Sequence, residues 1–497
     1  MQARFQLPAT LACRRRCVYY LGTLRCVIYA KGIFGDEIMS IDLEHNGPAP
    51  FSMTRGLWAM LFGVLALFVV LAVAYSQVTP AGVAEQHNAD ENAHIAYVQT
   101  LASGHLPVFK VGGADYEAHQ PPLYYVLAAP AYLATRGADA ATQARAMRLV
   151  SIVIGALIVL VAFFCTREIL PRAPGAALAV AAFIALLPGF LAISASVTND
   201  TLTMLVIGVG LFLTARLARW SQTEDVADKS KLLYQEAALI GLVLGLGVLT
   251  KTLTAPLFPT VIFAFLLLAY GKRLTGQQAL VSVVISCGVG VLVALPWLMR
   301  NNALYGDPIA SHLFQTAFND TRFTMTADIM MRVFGGFNDY LRVVFQWAFA
   351  SYWGGFDSMR AFWGLDPHKK GPNFGRGPAE IYTVLALICL AAVIGLARGV
   401  KSVKGDGAAT AMLGACAALT AFTLIAFMQF NLTYFQCQGR YWYPAVYPLT
   451  LFFVAGWRGL LSQDQARRGA YVVAAAGMVG LNIYTIAALL IPRFAGG

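Results

Sequence analysis

The chain has 497 residues, of which 58% are hydrophobic and only 12% charged, with a formal net charge of +11; an ordinary soluble domain carries about 25% charged residues. That balance excludes a water-soluble globule. The basic surplus is what Lys and Arg in cytoplasmic loops give a membrane protein, so it does not point to nucleic acid.

Residues 1–52 read apart from everything after them, with the cluster Arg14-Arg15-Arg16 and no long apolar run. They lack a signal-peptide pattern and read as a cytoplasmic tail, or as sequence ahead of a true start at Met39 or Met53. Residues 53–497 form the transmembrane domain. Eleven spans are predicted, at about 57–75, 149–166, 176–197, 201–218, 237–250, 255–270, 278–297, 380–397, 407–428, 443–459 and 470–491. Residues 121–134 are apolar but short and open with Pro121-Pro122, so they are read as a juxtamembrane or re-entrant helix.

With 121–134 not crossing, the basic links around Arg167/Arg172, Arg216/Arg219, Lys272/Arg273, Arg398/Lys401 and Arg458/Arg467/Arg468 share the side of the basic N-terminus. The opposite links hold few positive charges, as the positive-inside rule requires. The outer face then receives two long segments, 76–148 and 299–379, the latter with Trp353-Gly354-Gly355-Phe356-Asp357. It also receives Asp90, Glu91, Glu117, His119, Asp200, Lys251, Arg300 and Arg440, although they are far apart in the chain.

Each of these residues has a plain reading and a sharper one. Asp90 and Glu91 would favour a helix over 92–103 through its dipole, worth about 0.3–1 kcal/mol. The sharper reading makes Asp90 a general base. Adjacent residues at a helix start point in different directions, so Glu91 turns aside to hold a neighbour. His94, one turn on, either faces the same site or is a satisfied interfacial histidine; Tyr97 continues that face as packing.

Glu117, His119 and Gln120 precede a proline-started helix, and Tyr124 and Tyr125 suit an aromatic belt. In the sharper reading His119 or Gln120 reaches an anionic group beside Asp90, with Glu117 and Tyr124 in support. Asn199-Asp200 caps the span that follows, but an aspartate at membrane depth costs about 2.5–3.5 kcal/mol unless it faces a cavity or a partner. Lys251 ends one apolar run just before another; on the outer side it defies the charge rule, which a phosphate ligand explains better than snorkelling. Arg300 and Arg440 sit at helix ends near the headgroups, where a guanidinium fork suits phosphate oxygens as well as lipid anchoring.

Cys13, Cys17, Cys26, Cys165, Cys287, Cys389, Cys416 and Cys437 show no disulfide or zinc spacing, and no nucleotide-binding glycine motif stands out.

Taken together, Asp90-Glu91-x-x-His94, the His-Gln-Pro-Pro-Leu-Tyr-Tyr run at 119–125, Asn199-Asp200, Leu-Thr-Lys at 249–251, Pro-Trp-x-x-Arg-Asn at 296–301 and Gly-Arg-Tyr at 439–441 resemble a bacterial glycosyltransferase of the GT-C fold. The nearest resemblance is to the protein O-mannosyltransferase and lipid A aminoarabinose transferase group, over roughly residues 55–460. It implies an all-α polytopic bundle in the cell's inner membrane with its active site on the periplasmic face. It also implies an inverting transferase whose donor is a polyprenyl-phosphate sugar and whose acceptor is a lipid, glycan or protein. The catalytic acid of the first outer loop carries over to Asp90 with Glu91 supporting, the second acidic position to Asp200, and the phosphate-binding cations to Lys251 and Arg440.

No cofactor is required on that account, although Glu91 and Asp200 leave room for a divalent ion, as in a related oligosaccharyltransferase group. Two departures stand out. Aminoarabinose transferases have a lysine before the first proline where this chain has Gln120, and no sizeable outer domain follows the last predicted span. Donor sugar and acceptor therefore do not carry over. The rival reading is a transporter or lipid-linked glycan flippase, which calls for mid-span polar residues and repeated halves; neither is visible. A polysaccharide polymerase or ligase would share the lipid-phosphate site.

Overall fold

A computed structural model describes residues 14–20, 23–31, 36–42, 53–81, 90–110, 116–223, 230–313, 326–354, 379–401, 403 and 405–494. Gly355, Phe356 and Asp357 of the aromatic motif lie outside them. The chain divides into two units, Met1–Trp58 and Ala59–Gly497. In the first, where a tail without regular structure is expected, strands β1 (Arg14–Tyr20), β2 (Thr23–Lys31) and β3 (Asp36–Asp42) pair antiparallel in that order. The run Val27-Ile28-Tyr29 in β2, β-branched and aromatic, suits a strand better than a coil.

Beyond these strands the described chain is helical, as its long apolar runs dictate, because a backbone in lipid must satisfy its own hydrogen bonds. Its helices are α1 (Arg55–Val78), α2 (Glu91–Ala102), α3 (Leu123–Ala134), α4 (Ala140–Ile169), α5 (Pro174–Leu186), α6 (Pro188–Ser194), α7 (Asp200–Thr223), α8 (Ser230–Val248), α9 (Leu257–Tyr270) and α10 (Gly276–Tyr305). There follow α11 (Ala327–Phe334), α12 (Phe337–Trp353), α13 (Ala379–Lys401), α14 (Gly407–Thr433), α15 (Val446–Leu460), α16 (Asp464–Tyr484) and α17 (Ile491–Phe494).

Among the described residues nine helices are long and apolar enough to cross a membrane, and the pair α5–α6, bent by 63°, makes up to ten. The expected count of eleven is thus not reached by helix length. The difference is at 443–459, where a 3-10 turn over Gly439–Ala445 leads into the 15-residue α15. Pro444 and Pro448 lack the amide hydrogen that a continuous long helix would need there. The helix α3 has 12 residues, short for a span, as its opening prolines suggest.

The core lies around α7, whose spanning window is 78% buried, against 17% for α13 and for the α16 segment. Small residues let the outer helices approach. A side chain at Gly395 or Gly456 would strike the facing backbone of α15 or α13, so these two helices touch main chain to main chain.

At the end of α7 remote from Asp200, Arg219 closes the bundle. It donates to the carbonyls of Glu168 (3.0 and 2.8 Å) and Ile169 (3.1 Å) and pairs with Asp406 at 2.7 Å. Asp406 in turn caps α14 by accepting from Ala409 N at 2.9 Å. Arg219 lies about 28 Å along α7 from Asp200, so this junction and Asp200 are close to a bilayer's hydrocarbon thickness apart.

Candidate active site

The near end of α7 is where the predicted charges meet. Asp90 precedes α2 in the left-handed conformation, φ 61° and ψ 14°, which Asp tolerates better than most residues. That turn aims adjacent carboxylates to opposite destinations.

Glu91, 6% exposed, enters the core and binds Arg148 of α4, itself fully buried, through Nε–Oε1 at 2.7 Å and Nη2–Oε2 at 2.6 Å. The remaining donors of Arg148 go to the carbonyls of Ser76 (2.9 Å), Thr79 (3.1 Å) and Pro80 (2.9 Å) at the end of α1. Glu91 Oε1 also accepts from Val197 N at 2.8 Å. One carboxylate therefore ties together α1, α2, α4 and the turn that leads to Asp200.

Tyr124 supports the same turn, bonded to Ser151 Oγ at 2.7 Å and accepting from Thr198 N at 3.0 Å. Arg148 is not among the residues that the sequence singled out. The available signal was its place directly before an apolar run, where an arginine needs a buried partner.

Asp90 points the other way, to Arg440 at 3.0 Å. Arg440 also lies 3.7 Å from Asp200, which Lys251 holds at 2.6 Å. Four charges from four distant stretches thus form one chain, Asp90–Arg440–Asp200–Lys251, with each side chain at most 13% exposed. Each is positioned by its own contacts. Lys251 follows α8, whose end is fixed by a bond from Leu123 N to the Leu249 carbonyl at 3.0 Å.

Arg440 depends on α12. Gly439 packs against the backbone of Ala348 and Tyr352, too close for any Cβ, and its amide donates to Ser351 Oγ at 2.7 Å. The Tyr443 hydroxyl adds a bond to the Tyr352 carbonyl at 2.9 Å. The helix α12 therefore fixes the turn that carries Arg440.

Around these charges the polar capacity is incompletely used. Arg440 Nε, Asn199 Oδ1 and Glu117 Oε2 are buried with no hydrogen-bond partner among the described residues. Buried groups of this kind call for a partner, such as a water, an ion or a ligand. His94 is 1% exposed and its Nδ1 meets the Tyr125 hydroxyl at 2.8 Å; burial, the largest influence, pushes its imidazole down to about 3, so it is neutral. Burial, then the charge of Asp90, pushes the Glu117 carboxyl up to about 8.

Gln120 accepts from Asn199 Nδ2 at 3.4 Å and meets His119 Nε2 at 3.1 Å, placing the pair beside Asn199 rather than on the ion-pair chain. Arg300 is not in that chain either. It donates to the Pro107 carbonyl at 2.8 Å and lies over Trp297 at 4.9 Å, with Nη1 buried and unbonded among the described residues. No group of three His, Cys, Asp or Glu placed to hold a metal occurs among the described residues. Glu91, with Arg148 and Val197 on its oxygens, and Asp200, against Lys251 and Arg440, are occupied by cations and amides rather than turned toward each other.

Solved structures with this architecture include the archaeal oligosaccharyltransferase AglB from Archaeoglobus fulgidus in complex with an inhibitory peptide and a dolichol-phosphate. The identity is 14%, the TM-score 0.52, and the match covers 88% of this chain and 56% of that one. The apo form of the Archaeoglobus fulgidus enzyme matches over the same shares at 15% identity and TM-score 0.52. The chain has the GT-C glycosyltransferase fold.

It spans just over half the length of those GT-C enzymes. ArnT from Cupriavidus metallidurans bound to undecaprenyl phosphate aligns at 15% identity and TM-score 0.37, over 82% of this chain and 78% of that one. The family model described as dolichyl-phosphate-mannose-protein mannosyltransferase matches residues 119–299, from His119 to Met299 near the end of α10. No curated protein matches the chain.

Proposed function

We propose that this protein transfers a sugar from a polyprenyl-phosphate donor to a hydroxyl of a lipid, glycan or protein acceptor at the extracytoplasmic face of the cell membrane, with inversion at the anomeric carbon. The observation that carries the reading is the meeting of Asp90, Arg440, Asp200 and Lys251 at one end of the bundle. The matched family's description names a dolichyl-phosphate sugar donor, and the AglB structure of the same fold holds a dolichol-phosphate.

The charges account for the chemistry without further parts. A donor phosphate is drawn to Lys251 and Arg440, which in its absence are neutralised by Asp200 and Asp90. When the phosphate competes for Arg440, Asp90 loses its cation and becomes the stronger base. It then takes the proton of an acceptor hydroxyl as the oxygen attacks the anomeric carbon from the face opposite the phosphate. The C–O bond to phosphate breaks, and the departing phosphate keeps the electron pair beside Lys251 and Arg440.

Those two cations supply the charge stabilisation, so no metal ion is needed for the proposed step. Glu91 and Tyr124 act by position, through Val197 and Thr198. The test is Asp90→Asn in the full-length protein in lipid nanodiscs, with membrane-extracted polyprenyl phosphosugars as donors. Transfer should fall by about 10²–10⁴ while donor binding persists. Retained turnover removes Asp90 as the base, and a product with retained anomeric configuration removes the single-displacement step.

A further inference from the structure

Glu117 is left out of the ion-pair chain although it lies in the field of all four members. It sits in the 3-10 turn Tyr116–His119, 6% exposed, with Oε2 buried and unbonded among the described residues. Among the described residues the titratable groups that act on it are Asp90 before α2, Tyr97 on α2, Tyr125 on α3, Asp200 at the start of α7, Lys251 after α8 and Arg440 before α15, with His94 of α2 bonded to Tyr125. Arg300 and Tyr305 of α10 act on Tyr97 from behind.

A buried carboxyl with no cation of its own is costly as an anion, and far less so as an acid. The charge balance sharpens the point. Asp90 and Asp200 cancel Lys251 and Arg440, and His94 is neutral, so among the described residues this ion-pair chain carries no surplus positive charge for an incoming phosphodiester. An ionised Glu117 would add a second negative charge beside the ligand. A protonated one adds none, and its O–H is a hydrogen-bond donor.

We propose that Glu117 is a positioning residue for the donor phosphate, and that the site takes up a phosphodiester together with a proton on Glu117. The inference rests on the polyprenyl-phosphate reading and adds a pH linkage to it. The sign follows from the raised carboxyl, at about 8 in the free site. Below that pH Glu117 is already protonated and affinity is full. Above it each pH unit makes proton uptake, and so binding, about tenfold harder, which is roughly tenfold in Kd between pH 7 and 9. Above it, too, each bound ligand brings up to one proton with it.

The probe is farnesyl methyl phosphate, a diester whose single charge does not titrate in this range. Calorimetry on the full-length protein in nanodiscs, in two buffers of different ionisation enthalpy, reads both Kd and protons taken up. The wild type should weaken about tenfold from pH 7 to 9 and take up close to one proton at pH 9. Glu117→Gln, neutral at every pH, should bind the probe within about threefold of the wild type at pH 7 and lose both the pH dependence and the proton uptake. Infrared difference spectra of the wild type alone should gain the band of a protonated carboxyl on binding at pH 9, whatever the variant does. Wild-type binding that is flat with pH, or a Glu117→Gln variant that keeps the proton uptake, overturns the inference and leaves the donor reading standing. No binding at any pH overturns both.

Discussion

Two buried carboxylate–arginine pairs start one residue apart and end as different kinds of structure. Glu91–Arg148 is saturated: both carboxylate oxygens are in use, and every nitrogen of the guanidinium has a partner, three of them backbone carbonyls. Asp90–Arg440 is not, since Arg440 Nε has no hydrogen bond among the described residues and the guanidinium is shared at 3.7 Å with a second aspartate. A saturated pair resists exchange of partners, because any new ligand must displace several bonds at once. An under-satisfied pair in a shared field can trade partners cheaply, which is what binding an anion requires. The first ties helices together, and the second is the pair that the proposed function assigns to the donor phosphate.

The largest expected effect breaks the saturated pair. Arg148→Ala leaves Glu91 charged in the core without its arginine, and should destabilise the protein by about 3–5 kcal/mol. Loss of monodisperse protein in detergent, or a sharply lowered Tm, checks it, and a mild shift would place the scaffold elsewhere. Asp90→Asn should cost less than about 1 kcal/mol in the same assay, since Arg440 keeps Asp200 as its counter-charge.

A second variant asks whether any buried damage would do the same. Gly456→Val puts a side chain into the backbone of Ala392 on α13, far from both pairs, and should cost about 1–3 kcal/mol by overpacking. Its donor affinity should stay that of the wild type, as read by probe binding after thermal matching. Next comes Lys251→Gln, which keeps hydrogen-bond donors at Asp200 but removes a cation from the exchangeable side. Donor KM should rise about 10–100-fold with little change in Tm; a change in kcat alone would take Lys251 out of phosphate binding. The smallest effect on transfer is at Ser151→Ala. Tyr124 keeps its bond from Thr198, so the loss should be about 0.5–1.5 kcal/mol in stability, with transfer unaffected.

How much of this was legible in the sequence varies with the residue. The helices announced themselves, because runs as apolar as 278–297 or 407–428 have no alternative in lipid. Asp200 and Lys251 stood out because a charge inside an apolar stretch must have a reason, although that each is the other's partner was not visible. Arg148 escaped because at a predicted span edge a buried clamp and a cytoplasmic or headgroup charge look alike. Arg300 had the credentials of Arg440, but the structure sets it outside the ion-pair chain, donating to the Pro107 carbonyl and lying over the Trp297 ring, with Nη1 unbonded among the described residues. The eleventh predicted span is not counted by helix length for a local reason, since two prolines shorten the regular helix at 443–459.

By itself the sequence determined the solvent this chain is built for, because composition and period decide whether a backbone can be left in lipid. It also determined which side chains were too polar for their surroundings to be idle. Only the tertiary structure decided their partners. Pairing depends on directions at helix ends, where a left-handed turn at Asp90 sends two neighbouring carboxylates to opposite destinations and a side-chain-free Gly439 lets Arg440 reach one of them. Such directions are set by contacts between segments hundreds of residues apart, and no local pattern carries them.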